Sequence, residues 1–261
     1  MLETLISSVI ESFHTHSLAF FIFAIISVVF VGISKSGFGA GLGVLSLPLM
    51  ASQSTLNEAL AVLLPLLIAI DLVGISRFIK NADWRILKLI LPAGFVGLLL
   101  GMIFFTVITP KALTLFVGIF IMLFLIQMLV TSHFDLREAK PYPWLGRLMG
   151  ITSGFTSFVA HNGGPPITIF MLREKLLPMV YTSTLGIFFT FINFGKLGPY
   201  AYLDLLDFKQ LATSVILLPC VPVGVYLGFY LAEKISKKWY YRIVQIFLLV
   251  ASVKFITDGL T

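Results

Sequence analysis

Charged residues are scarce in this sequence, and their scarcity excludes most soluble proteins. Of its 261 residues, 18 are Lys or Arg and 12 are Asp or Glu, whereas 58% are hydrophobic. The mean hydropathy is +1.02. A soluble domain carries about 25% charged residues. Because so few polar residues cannot cover the outside of a soluble fold of this length, we expect an integral membrane protein.

The sequence has a single cysteine and no cluster of histidines. Cys220 is the only cysteine, which excludes an intrachain disulfide and a Cys-based metal site. His14, His16 and His133 lie far from any common cluster, so we expect no metal and no cofactor. The first 17 residues contain no Lys or Arg and no small-residue cleavage pattern, so we predict no cleavable signal peptide.

The basic residues lie in short gaps between apolar runs rather than on one face or tail. That distribution is typical of membrane topology and does not favour a nucleic-acid partner. A helix needs about 20 apolar residues to cross a bilayer, and six runs reach or approach that length. They are too long and too uniform to be barrel strands. The runs are 57–75, 86–108, 112–131, 179–198, 208–231 and 239–257.

Two other apolar regions are broken by glycine and proline. Residues 18–33 form a short run of 16 residues that leads into SKSGFGAGLGVLSLPLM (34–50). Residues 145–172 contain the sequence HNGGPP at what should be membrane depth. Non-helical backbone at that depth is tolerated only where protein or a water-filled cavity surrounds it. We therefore expect each region to fold as a broken helical element.

The two broken regions are related by an offset of 117 residues. SGFGAGLGVLSLP (36–48) then aligns with SGFTSFVAHNGGP (153–165), matching Ser, Gly, Phe and the final Pro. Each broken region is followed by three long apolar runs, so the chain has the layout of a duplication. We predict a first repeat over 1–131, a cytoplasmic linker over 132–144 and a second repeat over 145–261.

The charge of the loops predicts that the repeats are inverted. Four loops, 76–88, 132–147, 173–175 and 232–242, hold 13 of the 18 positive residues and should be cytoplasmic. The long helices then alternate correctly only if each broken region returns to the side it came from. The predicted fold is thus all-α and polytopic, with two inverted repeats and about eight membrane elements. In each repeat a broken Gly/Pro-rich helical hairpin precedes three transmembrane helices, and both termini lie outside the cytoplasm.

Inverted repeats with broken elements at matching positions are typical of secondary transporters, whose substrate sites lie near the membrane midplane. The sequence GFTSFVAHNGGPP (154–166) resembles the second repeat of the TauE/SafE family of sulfite exporters, and residues 34–50 resemble its first repeat. The resemblance extends from about residue 18 to about residue 258. It implies a permease of a bacterial inner membrane for sulfite, organosulfonates or another small sulfur-containing anion.

An anion at the midplane needs hydrogen-bond donors, which helix N-termini, hydroxyls and closely approached glycines supply. We expect the site between the two broken hairpins. The alternative is that Ser, Thr and Gly there only allow close helix packing. The candidate substrate ligands are Lys35, Ser36, Gly37, Gly39, Ser153, Thr156, Ser157, His161, Asn162, Gly163 and Gly164.

Four of the candidate residues are charged or titratable. Lys35 could neutralise the substrate or extend to the membrane interface. His161 could donate to the anion, carry a proton, or bond carbonyls freed by the break. Asp71, which matches Asn193 of the second repeat, is a candidate coupling carboxylate, a partner for Lys35 or a helix-end cap. Lys196 lies late in its helix, so we expect it to extend to the interface, with a supporting role as the alternative.

Other classes of function are also compatible with the sequence. An anion channel would use the same residues, and a membrane scaffold would not need them. An intramembrane enzyme is disfavoured, because Ser153 or Ser157 with His161 lacks a nearby second acid and GFTSF is not a nucleophile elbow. A carrier would also bind a coupling ion, H⁺ or Na⁺, and a homo-oligomer is compatible with the sequence.

Single cysteines introduced at Asp204 and Ser236, with Cys220 replaced by serine, test the predicted topology. The inverted arrangement places position 204 outside and position 236 in the cytoplasm. A membrane-impermeant thiol reagent added to intact cells should therefore label the first and not the second. Labelling of both positions from the same side would contradict the topology.

Overall fold

The fold is all-helical over the part of the chain that the computed structural model describes, namely residues 7, 11–35, 42–131, 140–234 and 237–261. Within these residues there is no β-strand. The α-helices are α1 (Leu18–Ile33), α2 (Ser46–Ala51), α3 (Leu56–Asn81), α4 (Trp84–Val107), α5 (Pro110–Thr131), α6 (Pro143–Ala160), α7 (Gly164–Arg173), α8 (Pro178–Tyr202), α9 (Phe208–Leu217), α10 (Cys220–Lys234) and α11 (Lys237–Leu260). A 3₁₀ turn over Leu42–Leu45 precedes α2.

Side-chain caps fix where several helices begin. Ser17, Asp83 and Asp207 each accept a hydrogen bond from a backbone N–H in the first turn of α1, α4 and α9, respectively. These bonds satisfy N–H groups that have no partner within the helix. The apolar run predicted over 18–33 is one helix with the same bounds.

The helices form two compact units, and each unit draws on both halves of the sequence. Unit 1 comprises Met1–Ile70 and Leu197–Phe247, and unit 2 comprises Asp71–Lys196 and Leu248–Thr261. In unit 1, α1 packs against α10, and in unit 2, α6 packs against α4. In each unit, therefore, the broken region of one half packs against a helix from the other half. The division of the sequence into two repeats at 132–144 stays a prediction.

Glycines bring α4 and α6 into backbone contact in unit 2. A Cβ at Gly154 would collide with the carbonyl oxygen of Gly94, and one at Gly97 would collide with that of Ile151. In unit 1 a Cβ at Gly32 of α1 would lie 2.6 Å from the carbonyl carbon of Gly224 in α10. Small residues allow such approaches inside a bilayer, where tight packing rather than water exclusion holds helices together.

Each broken region returns to the end from which it started. In unit 1, Nε2 of His16, which precedes α1, lies 2.8 Å from Oε1 of Glu58 at the start of α3. In unit 2, a Cβ at Gly146 near the start of α6 would touch the ring of Phe170 near the end of α7. Both regions are therefore helical hairpins, as the loop charges require. The inverted orientation of the two halves stays a prediction.

Loops predicted to share a side of the membrane meet at the same end of unit 2. Arg85 donates to Glu174 at 2.7 Å, which joins two of the basic loops. At the other end of α4, Lys111 donates to the backbone oxygen of Thr261 at 2.6 Å. The contacts agree with the grouping of loops by charge.

The apolar run over 208–231 is not one helix, and the prediction of a single long helix there is wrong. α9 ends at Leu217 and α10 begins at Cys220, with a bend of 49° between them. Pro219 lies at the break, and Pro222 follows it. Proline has no N–H for the helix ladder, and its ring clashes with the preceding turn.

Three of the described helices are long and apolar enough to cross a membrane: Leu56–Ser76 of α3, Trp84–Val107 (α4) and Pro110–Val130 of α5. The bent pair of α9 and α10 adds a fourth span if it crosses as a unit. α8 and α11, also expected to span, are 25 and 24 residues long but do not meet this criterion over their described residues.

Substitution Gly154→Ala should destabilise the protein by about 1–3 kcal/mol, because the new methyl group forces α4 and α6 apart. Gly198→Ala is the matched control, since a Cβ there meets nothing within 4 Å. That substitution should be neutral or stabilise by about 0.5–1 kcal/mol, because alanine restricts the unfolded chain. The midpoint of thermal unfolding in detergent measures both, and equal effects would contradict the packing described for Gly154.

Candidate functional site

The candidate site lies at the break of the second hairpin. α6 ends at Ala160 and α7 begins at Gly164. His161 adopts a left-handed conformation with φ of 51°, and its N–H donates to the carbonyl oxygen of Ser157 at 3.0 Å. This left-handed residue is the C-cap of α6, a common way for a helix to end, here on a histidine rather than a glycine.

A hydrogen bond closes the break against α6. Oγ of Ser153 donates to the carbonyl oxygen of Gly163 at 2.6 Å. A Cβ at Gly163 would lie 2.6 Å from the carbonyl oxygen of Ser153, so only glycine fits at this position. The two contacts fix where the chain leaves α6 and enters α7.

A chain of hydrogen bonds within unit 2 joins the break to residues of α8 and α3. Nζ of Lys196 in α8 lies 3.1 Å from Nδ1 of His161 and donates to Oδ1 of Asn193 at 3.0 Å. Nδ2 of Asn193 donates to Oδ2 of Asp71 in α3 at 2.7 Å. The predicted site residues His161, Lys196, Asn193 and Asp71 thus form one network.

Three residues of the network are buried, and His161 is half-buried. The exposed fraction is 0% for Lys196, 2% for Asp71 and 3% for Asn193. A charge is stable in such surroundings only when it is paired and hydrogen-bonded. Here the carboxylate of Asp71 and the ammonium of Lys196 offset each other, with the amide of Asn193 bonded to both.

The expectation that Lys196 extends to the membrane interface is wrong. Its position late in the helix predicted that the ammonium group would reach water at the membrane surface, but the side chain is fully buried. The bonds to Asn193 and His161 replace the hydration that the ammonium would otherwise find at the interface.

The lysine also sets the tautomer of His161. An ammonium group can only donate, so Nδ1 of the imidazole accepts this bond. In a neutral ring the proton then lies on Nε2.

Asn162, the next residue, is buried with an unsatisfied donor. It is 5% exposed, and its Nδ2 has no hydrogen-bond partner. A buried amide nitrogen left without an acceptor costs about 1–3 kcal/mol, and such orphaned groups call for an explanation such as an absent ligand. An oxygen of a bound anion would satisfy the N–H bonds of Asn162.

The start of α7 offers fewer backbone donors than a typical helix N-terminus. Pro165 and Pro166 occupy its second and third positions and have no N–H. The predicted backbone donors are therefore limited to Gly163 and Gly164 in this part of the helix. Most of the available donors at the break belong to side chains.

Hydroxyl groups of the hairpin donate within it. Oγ1 of Thr156 donates to the carbonyl oxygen of Thr152 at 2.8 Å, and Oγ of Ser153 is bound to Gly163. Ser157 is buried on the same helix, and its carbonyl oxygen accepts from His161. Direct binding of the substrate by Ser153, Thr156 and Ser157 stays a prediction.

Of the candidate residues of the first hairpin, the structure describes Lys35. Lys35 is half-buried just after α1. Ser36, Gly37 and Gly39 lie outside the described residues. The substrate-binding roles of these four residues stay predictions.

The sequence contained partial signals for the network. The predicted repeats match Asp71 with Asn193, and the structure joins these two residues directly, an arrangement that none of the alternatives for Asp71 included. Asn193 and Lys196 are three residues apart and share one face of α8. The contact between Lys196 and His161 joins residues 35 apart and carried no local signal.

The chain matches a known protein family over most of its length. The family model described as sulfite exporter TauE/SafE matches residues 24–255. No curated protein and no solved structure matches the chain significantly.

Removal of the lysine charge tests the network. Lys196→Met should destabilise the protein by about 3–5 kcal/mol, because it removes a buried cation from the hydrogen-bonded network that also holds the carboxylate of Asp71. Adding Asp71→Asn should recover part of that loss, with a coupling of about 0.5–3 kcal/mol between the two changes. Thermal unfolding of the two single variants and the double variant measures the coupling. Strictly additive losses would show that the two charges do not interact.

Proposed function

The chain belongs to the sulfite exporter TauE/SafE family, and from this premise we propose that it is a secondary transporter of a small, sulfur-containing anion. Membership makes the chain a polytopic integral membrane protein that transports a small molecule across a lipid bilayer. The class of anion and the site at the second hairpin are parts of the proposal. So are a bacterial inner membrane, a cytoplasmic linker and external termini.

The unsatisfied amide of Asn162 is the observation that carries the proposal. It lies next to His161, whose ring bonds the ammonium of Lys196. Nδ2–H of Asn162 and Nε2–H of His161 are donors, and Lys196 supplies positive charge. A pyramidal sulfite or a tetrahedral sulfonate presents three oxygens to such donors.

The chemistry of these groups favours an anion over a cation. The amide nitrogen of Asn162 and Nε2 of His161 can only donate in the arrangement described, and the nearest formal charge on the network is the ammonium of Lys196. A cation would meet donors and like charge.

Burial favours a carrier. The break is enclosed by the hairpin and by α8, so a substrate can enter and leave only if the surroundings move. Carriers with duplicated halves open a fixed site to one side of the membrane at a time. In this scheme Asn162 and His161 bind the anion, and the hydrogen bond between Ser153 and Gly163 stabilises the conformation of the break.

A thermal-shift titration with sulfite, thiosulfate, sulfate, methanesulfonate and acetate tests the proposal on purified protein. A ligand that binds only the folded state stabilises it by about 2.7 kcal/mol at a concentration of 100 times its Kd. We expect a sulfur oxyanion to raise the midpoint, and acetate to raise it less.

Single substitutions test where the anion binds. Asn162→Ala and His161→Ala should each weaken binding by about tenfold, because each removes a buried hydrogen bond to a charged group. Asn57→Ala, at the start of α3 in the part of that helix that belongs to unit 1, is the matched control and should bind like the parent. Shifts of equal size in all three variants and the parent would refute the assignment of the site.

Flux in proteoliposomes separates a carrier from a channel. A carrier predicts sulfite or sulfonate uptake that saturates with concentration and follows an ion gradient. Conductance that is independent of such a gradient would show an anion channel instead.

A further inference from the structure

Unit 2 contains an apolar groove between α5 and the second hairpin, with a volume of about 170 Å³. Among its lining residues are Leu123 of α5, Met149 and Thr152 of α6, and Pro166 and Ile169 of α7. Leu123 is 58% exposed, so the groove opens at the surface of the unit. Because α5 is one of the helices apolar enough to cross a membrane, this surface faces lipid chains.

One arginine lies at the end of the groove. Arg173 is the last residue of α7 and lies one turn beyond Ile169, on the same face of that helix. Its Nε is buried and has no hydrogen-bond partner among the described residues. A buried donor of a charged group is costly when it has no acceptor, so this nitrogen calls for one.

The two carboxylates near Arg173 are bound to a different arginine. The side chain of Glu174 is only 8% exposed, and its Oε2 accepts from Arg85 at 2.7 Å. Asp83 caps the start of α4 and lies 3.5 Å from the same guanidinium. An anion that compensates Arg173 therefore has to come from outside these two side chains.

Arg173 lies at the depth of lipid headgroups. α6 begins where α7 ends, since a Cβ at Gly146 would touch the ring of Phe170. Trp84 and Trp144 stand at the starts of α4 and α6, with exposed fractions of 43% and 60%. Exposed tryptophan rings are typical of the interface between the hydrocarbon and the polar headgroups. The phosphates of the bilayer are thus the anions nearest to this end of the groove.

We propose that the groove and Arg173 bind one anionic phospholipid. An acyl chain lies in the groove, and the phosphate accepts hydrogen bonds from the guanidinium of Arg173, whose planar set of donors suits phosphate oxygens. Basic side chains at the ends of membrane helices recognise anionic lipids in this way. Pro165 and Pro166 also line the groove, so the chain packs against the first turn of α7. The bound lipid stabilises the second hairpin whatever substrate the protein transports.

The first test compares lipids on the purified protein in detergent. Phosphatidylglycerol and phosphatidylcholine with the same acyl chains differ in net charge, and glycerol phosphate supplies a phosphate without chains. We expect phosphatidylglycerol to raise the midpoint of thermal unfolding most, and native mass spectrometry to show one tightly bound copy. Equal shifts with the two lipids would refute the charge contact. A shift with glycerol phosphate as large as that with phosphatidylglycerol would show a site for soluble phosphate and refute the lipid.

The second test removes the arginine. Arg173→Gln should weaken the binding of phosphatidylglycerol about tenfold, because it removes a charge-assisted hydrogen bond, and should leave phosphatidylcholine unaffected. Arg147→Gln is the matched control, since it removes the same charge near the start of α6. Arg147 is exposed and lies two residues before Met149, so it is on a different face of α6 from the groove. Equal losses in both variants would indicate a general effect of surface charge and refute the site.

The third test fills the groove and leaves the charge in place. The hydroxyl of Thr152 donates only within its own helix, to the carbonyl oxygen of Leu148 at 2.9 Å, so its replacement breaks no contact between helices. Thr152→Phe should weaken the binding of both phospholipids, because the ring occupies the space of the acyl chain. Undiminished binding by the folded variant would refute the groove as the site of the chain. If this variant does not fold, the comparison of Arg173→Gln with Arg147→Gln decides the question.

Discussion

The ammonium of Lys196 is buried without exposure to solvent, and the arrangement of the site follows from the need to compensate it. Its partners are Asn193 on the same helix and His161 at the break of the second hairpin. Through Asn193 the charge is tied to the carboxylate of Asp71. Together these bonds join the break to α8 and α3 in one network.

The backbone of the break is held by contacts that leave little freedom. His161 takes a left-handed conformation, and Ser153 binds the carbonyl oxygen of Gly163. Close backbone contact between Gly94 and Gly154 positions α6 on α4. A rigid hairpin of this kind can hold an unsatisfied group such as Asn162 in place until a ligand arrives, because the helices around it cannot relax to bury the amide elsewhere.

Local patterns predicted the elements better than the contacts between them. The bounds of α1 and the break at HNGGPP were readable because apolar length and Gly/Pro chemistry act locally. Hydropathy did not indicate the bend at Pro219, because α9 and α10 on either side of it are both apolar. Nor did hydropathy indicate the burial of Lys196, because the position of a residue along its helix does not show which side chains of a neighbouring element will contact it. The same limit concealed the packing of α6 on α4.

The central claim is that an oxyanion binds at the break of the second hairpin, in contact with the orphaned amide of Asn162. Selenite is a heavier analogue of sulfite, and anomalous diffraction from crystals grown with it locates selenium directly. The account predicts a selenium peak about 4 Å from Nδ2 of Asn162 and close to His161, with a hydrogen-bonded oxygen between. A well-occupied selenium site elsewhere, with none at the break, would contradict the account.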